Sequence, residues 1–282
     1  MITVLEAINL STDFLQKKGI QSPRINAELL LASVLKCKRL QLYLSFDRPL
    51  KQNELDDYRE MIKRRSSFEP LQYITGYVEF YNLEFKVNPA VLIPRPETEI
   101  LVETIIGNCN DKITVLDIGS GSGIIGISLA VNLQNSNVYC TDISDDAIIL
   151  AKENAKRHNV ISRTSFIIHN IISQPIDFIS VVDVVVSNPP YISKNDFNSL
   201  QKEIKNFEPR YALTDESDGF AFFNIIAAKA KNKLNYGGKL FFEIAEGQSS
   251  TVKNILQENS FSDIKIVKDY QNIDRVIYGV KK

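Results

Sequence analysis

Cysteine and histidine are scarce in this 282-residue chain, at three and two copies. Cys37, Cys109 and Cys140 stand far apart with no C-x-x-C pair. That excludes a disulfide framework and a cysteine zinc site, and it fits a reducing compartment. His158 and His169 are too few for a histidine metal centre, so no metal is expected. No apolar run approaches the roughly 18–20 residues that a membrane-crossing helix needs. Residues 1–14 hold an early acid, Glu6, with Asp13 after it, and no basic residue, so a secretory leader is not expected and the chain reads as cytoplasmic. An excess of either charge is missing too: 33 Lys/Arg face 34 Asp/Glu, a net of −1. Such a balance argues against stable binding of duplex nucleic acid by bulk electrostatics. What is present, 44% hydrophobic and 24% charged residues with 12 Gly and 10 Pro, is an ordinary globular composition, long enough for nearly two typical domains.

Charge is spread unevenly. Residues 1–70 carry 12 Lys/Arg against 9 Asp/Glu, and the remainder carries 21 against 25. The basic part shows helical periodicity. Val4, Leu5, Ile8, Phe14 and Leu15 suit one amphipathic helix ending near Gly19, and Ser22-Pro23 reads as an N-cap and first-turn proline opening a second. A third helix runs from about Asn53 to Lys63-Arg64-Arg65, a cluster read as a solvated helix end in preference to a binding patch. From 71 to 89 the residues turn β-branched and aromatic (Tyr73, Ile74, Tyr77, Val78, Phe80, Tyr81, Phe85, Val87), which predicts a β-hairpin linker over 71–90. The stiff segment Leu92-Ile93-Pro94-Arg95-Pro96-Glu97-Thr98-Glu99 then leads into a helix. Beyond it, strands fit 114–119, 137–142, 165–169, 181–187 and 239–245. Helices fit 124–133, 145–157, 219–234 and 249–258, and two late strands, 264–268 and 276–280, pair antiparallel. Short apolar strands alternating with helices predict an α/β fold with a mostly parallel sheet covered on both faces.

Two constellations carry chemistry. In the first, Asp117-Ile118-Gly119-Ser120-Gly121-Ser122-Gly123 joins a strand to a helix. Glycines there let backbone approach a ligand, and the helix start offers unpaired N–H groups. Gly121, Gly123 and Gly126 satisfy G-x-G-x-x-G, with Asp142 twenty-one residues after Gly121, so a nicotinamide dinucleotide site stands as a rival. Against that rival, Asp117 would set a carboxylate beside the pyrophosphate, whereas a cationic sulfonium would tolerate it. Asp142 can accept from ribose hydroxyls in either scheme. The second constellation is Asn188-Pro189-Pro190-Tyr191, at the carboxyl end of the apolar strand 181–187, where open α/β sheets place their ligands. An amide or exocyclic amino nitrogen is a poor nucleophile because its lone pair is delocalised. If its two N–H groups donate to Asn188 Oδ1 and the Pro189 carbonyl, the lone pair is aimed at an electrophile, and the acceptors stabilise the positive charge that develops. Tyr191 can pack on the planar group. No histidine or cysteine nucleophile is needed; His169 and His158 read as strand-end and helix-surface residues.

With these motifs the chain resembles the release factor glutamine methyltransferases, class I S-adenosylmethionine-dependent enzymes. The likeness runs through residues 70–76, the segment 92–99, the glycine turn, residues 188–191, Phe207-Glu208-Pro209 with Ala212-Leu213, and Asp269-Tyr270 with Arg275. It implies a Rossmann-like, seven-stranded class I methyltransferase domain (91–282) joined by the hairpin linker to a small N-terminal helical bundle (1–70) that docks the substrate. It also implies methyl transfer from S-adenosylmethionine to the glutamine side-chain amide in the Gly-Gly-Gln loop of peptide chain release factors. Cofactor contacts would come from Asp117, Gly119, Ser120, Gly121, Ser122, Gly123, Asp142, Asn170, Ile171 and Asn188. Asn188, Pro189, Pro190 and Tyr191 would hold the glutamine, with Asn188, Pro189 and Tyr191 as the catalytic set. The adenine-side pair is usually Asp and an aromatic residue; here it is Asn170-Ile171, which keeps a hydrogen bond and loses a stacking contact. A ribosomal protein or nucleic acid acceptor, and the oxidoreductase, are the alternatives.

Overall fold

Apolar residues at helical spacing bury one face of each N-terminal helix. The computed structural model describes residues 2–282 and divides into two units: residues up to Tyr77 together with Gln201–Phe207, and Val78–Leu200 with Glu208–Lys282. In the first unit, α1 (Val4–Lys17), α2 (Pro23–Val34), the short α3 (Arg39–Leu42), α4 (Gln52–Ser66) and the short α5 (Leu71–Thr75) enclose Ile8, Leu15, Leu30, Leu31, Leu42 and Tyr58. Thr3 closes a full capping box with Glu6 at the start of α1. Ser22 does not cap α2: it sits at φ 48 with no side-chain bond, and proline alone marks that start.

Glu28 is fully buried in this unit, where Arg24 (2.9 Å), Arg39 (2.7 Å) and Tyr43 (3.0 Å) all donate to it. Burial pushes its carboxyl up, but those donors together hold it below the ordinary range. The expected solvated end of α4 stands at Lys63, which is exposed, and is corrected at Arg65. Arg65 is only 4% exposed and donates to Asn26 Oδ1 (2.7 Å), the Glu69 carbonyl (2.9 Å) and Glu203 (2.5 Å), while Arg64 pairs with Glu69. The expected hairpin is corrected at its beginning as well. Residues 71–75 are helical, running from Pro70 to Gly76 at φ +80, and only β1 (Tyr77–Phe80) and β2 (Leu83–Lys86) form the hairpin.

The second unit holds α6 (Thr98–Asn108), β3 (Thr114–Ile118), α7 (Ile124–Asn132), β4 (Asn137–Asp142), α8 (Asp145–Arg157), β5 (Thr164–Ile168), β6 (Val182–Ser187) and α9 (Lys194–Phe197). The chain returns to the first unit for α10 (Lys202–Phe207). It then completes the second with α11 (Ala221–Lys233), β7 (Leu234–Glu243), α12 (Ser249–Glu258), β8 (Phe261–Lys268) and β9 (Asp274–Lys281). The sheet has seven strands in the order β5-β4-β3-β6-β7-β9-β8, and only β9 runs antiparallel to its neighbours. Apolar clusters fill both faces, one around Leu101, Ile105, Ile127 and Phe241, the other around Phe223, Ile226, Phe242 and Leu256. The order reverses between β3 and β6, so their carboxyl ends open the crevice where such sheets take ligands. Among the described residues, no helix is long and apolar enough to cross a membrane.

Candidate active site

The glycine turn closes by backbone bonds alone. Gly119 and Ser120 N–H both donate to the Thr141 carbonyl (2.8 and 2.9 Å), and Gly123 N–H donates to the Ser120 carbonyl (2.8 Å). Gly119 and Gly121 sit at φ +73 and +54, and a Cβ on either would meet nothing within 4 Å, so the space beside that backbone stands open to a ligand. Gly126 serves a different purpose. A Cβ there would lie 2.5 Å from Cys140 Sγ and 3.1 Å from Asp117 Oδ2, so glycine is what lets α7 approach the sheet.

At the end of β4, Asp142 Oδ2 accepts from Gly121 N–H (2.8 Å) and Oδ1 from Ser144 N–H (3.0 Å). Burial raises its pKa against those backbone bonds. Across the reversal point, Ser187 Oγ donates to the Ile118 carbonyl (2.7 Å), locking the tips of β3 and β6 together just before Asn188. Asn188 Nδ2 donates to Thr98 Oγ1 (3.3 Å), which leaves Oδ1 as the acceptor this side chain has to offer.

These pieces surround a cavity of about 570 Å3. Its wall includes Gly119, Gly121, Asp142, Asn170, Ile171, Asn188, Pro189 and Pro190 from the residues expected in the sequence. Ser120, Ser122, Gly123, Asp117 and Tyr191 are not part of that wall. Ser120 and Ser122 are buried, and Gly123 is the αL residue that starts α7. Asp117 is fully buried beneath the turn, where Oδ2 accepts from Gly126 N–H (3.0 Å), so its carboxylate caps α7 from inside. Burial pushes it up to about 7. The repulsion expected between Asp117 and a pyrophosphate therefore has no geometric basis. A strand alternates its faces, and this side chain points to the helix rather than to the crevice.

Tyr191 is held behind the cavity. Gln248 Nε2 donates to its carbonyl (3.1 Å), and its hydroxyl lies 3.5 Å from Glu243 Oε1. Burial raises the pKa of its hydroxyl. His169 is buried, with Nε2 3.1 Å from the Pro175 carbonyl, and it touches the same cavity.

Sequence reasoning missed much of the opposite wall: Tyr211, Phe222 and Ile226. Tyr211 donates its hydroxyl to the Ala90 carbonyl (2.8 Å), fastening the segment after α10 to the one before α6. Phe222 supplies an aromatic ring to the cavity that contains Ile171, where the expected aromatic position is aliphatic. The two signature segments do meet, because Arg95 pairs with the buried Glu208 (2.6 Å), which also accepts from Ile93 N–H (3.2 Å). Glycine backbone with open space beside it, a carboxylate at a strand tip and a long, largely apolar wall fit a nucleoside-bearing cofactor such as S-adenosylmethionine.

Residues 6–76 match the family described as PrmC N-terminal domain, and residues 96–206 match the methyltransferase small domain. A release factor glutamine methyltransferase of Fusobacterium nucleatum is 43% identical over 280 residues, covering 98% of this chain and 78% of that protein. One from Chlorobaculum tepidum is 39% identical over 284 residues, covering 97% and 95%. Among solved structures, a methyltransferase from Pyrococcus furiosus shares the fold with a TM-score of 0.54 at 19% identity, over 71% of this chain and 90% of that one.

Proposed function

The chain belongs to the release factor glutamine methyltransferases, S-adenosylmethionine-dependent enzymes, and we propose that it methylates the glutamine side-chain amide in the Gly-Gly-Gln loop of a peptide chain release factor. Membership in that family overturns the oxidoreductase alternative for the glycine turn. The observation that carries the reading is the one at Asn188. With Nδ2 engaged by Thr98, its Oδ1 and the Pro189 carbonyl are two acceptors at the rim of the cavity that holds the glycine turn and Asp142.

When bound, S-adenosylmethionine supplies a methyl group on a cationic sulfur, whose bond to carbon breaks toward sulfur as the amide nitrogen bonds the methyl, leaving S-adenosylhomocysteine, N5-methylglutamine and one proton for solvent. Asn188 Oδ1 and the Pro189 carbonyl take the two amide N–H groups and turn the nitrogen lone pair toward the glycine turn. The same oxygens stabilise the nitrogen as it becomes positive. Pro189 and Pro190 fix the direction of those acceptors, and Tyr191 backs the plane they define. Asp142 would receive the cofactor's ribose hydroxyls, the backbone of Gly119 and Gly121 would make room for its amino-acid end, and Asn170, Ile171 and Phe222 would line its adenine end.

The first unit docks the rest of the release factor, offering the exposed side chains of Leu40 and Leu44 on a part of the chain whose net charge is positive. Mass spectrometry of a release factor incubated with the protein and S-adenosylmethionine will show a 14-Da gain on that glutamine, lost when the glutamine is Ala. Leu40→Ser with Leu44→Ser will raise the KM for release factor several-fold and spare that for S-adenosylmethionine. Methylation of a ribosomal protein or a nucleic acid in place of the release factor would refute the assignment.

A further inference from the structure

Glu243 is a buried carboxyl that the reaction above does not use. It ends β7, and the pairing of Ser187 with Phe242 sets it beside Asn188 at the carboxyl edge of the sheet. Only 1% of it is exposed, and Oε2 has no hydrogen-bond partner. Three other elements face it. From the segment after β6, Tyr191 brings its hydroxyl to 3.5 Å of Oε1. From the start of α6 come Thr98, itself 1% exposed, whose hydroxyl is near enough to favour the ionised carboxylate, and the charge of Glu97. From β9 comes Arg275, whose guanidinium is already engaged by Asp269 at 3.0 Å. Burial outweighs the help of Thr98, Arg275 and Tyr191, and with Glu97 nearby it pushes the carboxyl up to about 7. A carboxyl that is half orphaned here is expensive, and a packed apolar residue would end the strand at less cost.

We propose that Glu243 is a positioning residue which, through Thr98, sets the orientation of the Asn188 amide. As a carboxylate it can only accept, so it takes the hydroxyl hydrogen of Thr98. Thr98 Oγ1 is then left with lone pairs alone to present to Asn188. Nδ2 of Asn188 turns to Thr98, as observed at 3.3 Å, and Oδ1 turns to the acceptor nitrogen. Protonated Glu243 reverses the chain of donors. Its own O–H can donate to Thr98, the Thr98 hydrogen is released toward Asn188, and the amide can flip to show a donor where the reaction needs an acceptor. The deprotonated form is the competent one, so turnover falls as pH falls through the carboxyl's range. This inference rests on the acceptor role given to Asn188 under the proposed function, but the amide orientation itself is measurable without any methyl acceptor.

The test uses the full chain. In its amide NMR spectrum, the Asn188 side-chain pair, assigned by its loss in Asn188→Ala, will shift between pH 6 and 8 with an apparent pKa of about 7. In Glu243→Gln, which can still accept from Thr98 but cannot titrate, the shift will vanish. Parent kcat with release factor will show an acid limb at the same pH. Glu243→Gln will keep at least a third of the parent kcat at pH 8 and lose the limb. Thr98→Val will lower kcat about tenfold with S-adenosylhomocysteine affinity within twofold, and adding Glu243→Gln to it will lower kcat no further. A limb or an Asn188 shift that persists unchanged in Glu243→Gln overturns the positioning role. Failure of the parent to methylate glutamine overturns the assigned substrate instead, and the NMR arm still decides the orientation.

Discussion

Asn188 and Asp142 face one cavity, and the proposed function gives them opposite duties, so their removal is expected to separate binding from chemistry. Asn188 Oδ1 matters most when charge appears on nitrogen, so Asn188→Ala will lower kcat about 100-fold, roughly 2.7 kcal/mol, while S-adenosylhomocysteine affinity moves less than threefold. Asp142→Ala removes a ground-state contact and unties Gly121 and Ser144, so cofactor affinity will fall by 10- to 100-fold with a smaller change in kcat at saturation. Calorimetric titration beside steady-state kinetics checks both, and equal losses in the two measurements would refute the division. Both residues were legible in the sequence because each ends an apolar strand within a recognisable motif. Asp117 belongs to such a motif too, and by register it shares a sheet face with Cys140 and Asp142, but it lies inside β3 rather than at a strand tip, so α7 covers it and Gly126 N–H donates to its carboxyl. Glu243 was not legible, because a lone acid after Leu240-Phe241-Phe242 has no motif to mark it. Its partners Thr98 and Tyr191 come from distant parts of the chain.

Elements were legible where one face is buried over a long run. The strands and long helices of the second unit stand within a few residues of the positions that hydrophobic spacing gives, with β7 starting five residues earlier, at Leu234 instead of 239. Short elements were not. The aromatic residues of α5 favour a strand, but Pro70 and Gly76 at φ +80 bracket five residues that complete one helical stretch. The loop between α10 and α11 was equally opaque, and it is where the acceptor tetrad is held. Asp215 takes N–H groups from Ser217, Gly219 and Ala221, and Gly219, at φ +89, passes so near Tyr191 that a Cβ would lie 2.5 Å from its carbonyl oxygen. Both contacts are backbone, so neither side can yield cheaply. Gly219→Ala will therefore lower stability by about 1–3 kcal/mol and displace the tetrad, cutting kcat more than it changes cofactor affinity. Urea unfolding with parallel kinetics measures this, and an unchanged kcat would show that the loop does not set the tetrad.

Carboxyls buried at the sheet make the stability of the whole molecule depend on pH in an unusual direction. Asp117 and Glu243 are each pushed up to about 7 by burial, against ordinary values of 3.8 and 4.5, and Asp142 is raised by the same cause. Between about pH 4 and 7 the folded chain therefore binds more protons than the unfolded one. Stability falls as pH rises through that window, by at most about 1.4 kcal/mol per unit for each group, and levels off above it. In acid the sign turns. Glu28 is held below the ordinary range by Arg39, Tyr43 and Arg24, so its contribution is present above about 4.5 and is lost as pH falls through its lowered value. The two trends place the stability maximum near pH 5, below the neutral conditions at which turnover needs Glu243 ionised. Asp117→Asn keeps an acceptor for the Gly126 N–H and removes one titrating group, so it will reduce the decline in unfolding free energy between pH 5.5 and 7.5 whatever it does to the absolute value. Urea unfolding of parent and variant across that range is the measurement. Parallel curves would mean that the Asp117 carboxyl ionises inside the fold as readily as it does in the unfolded chain.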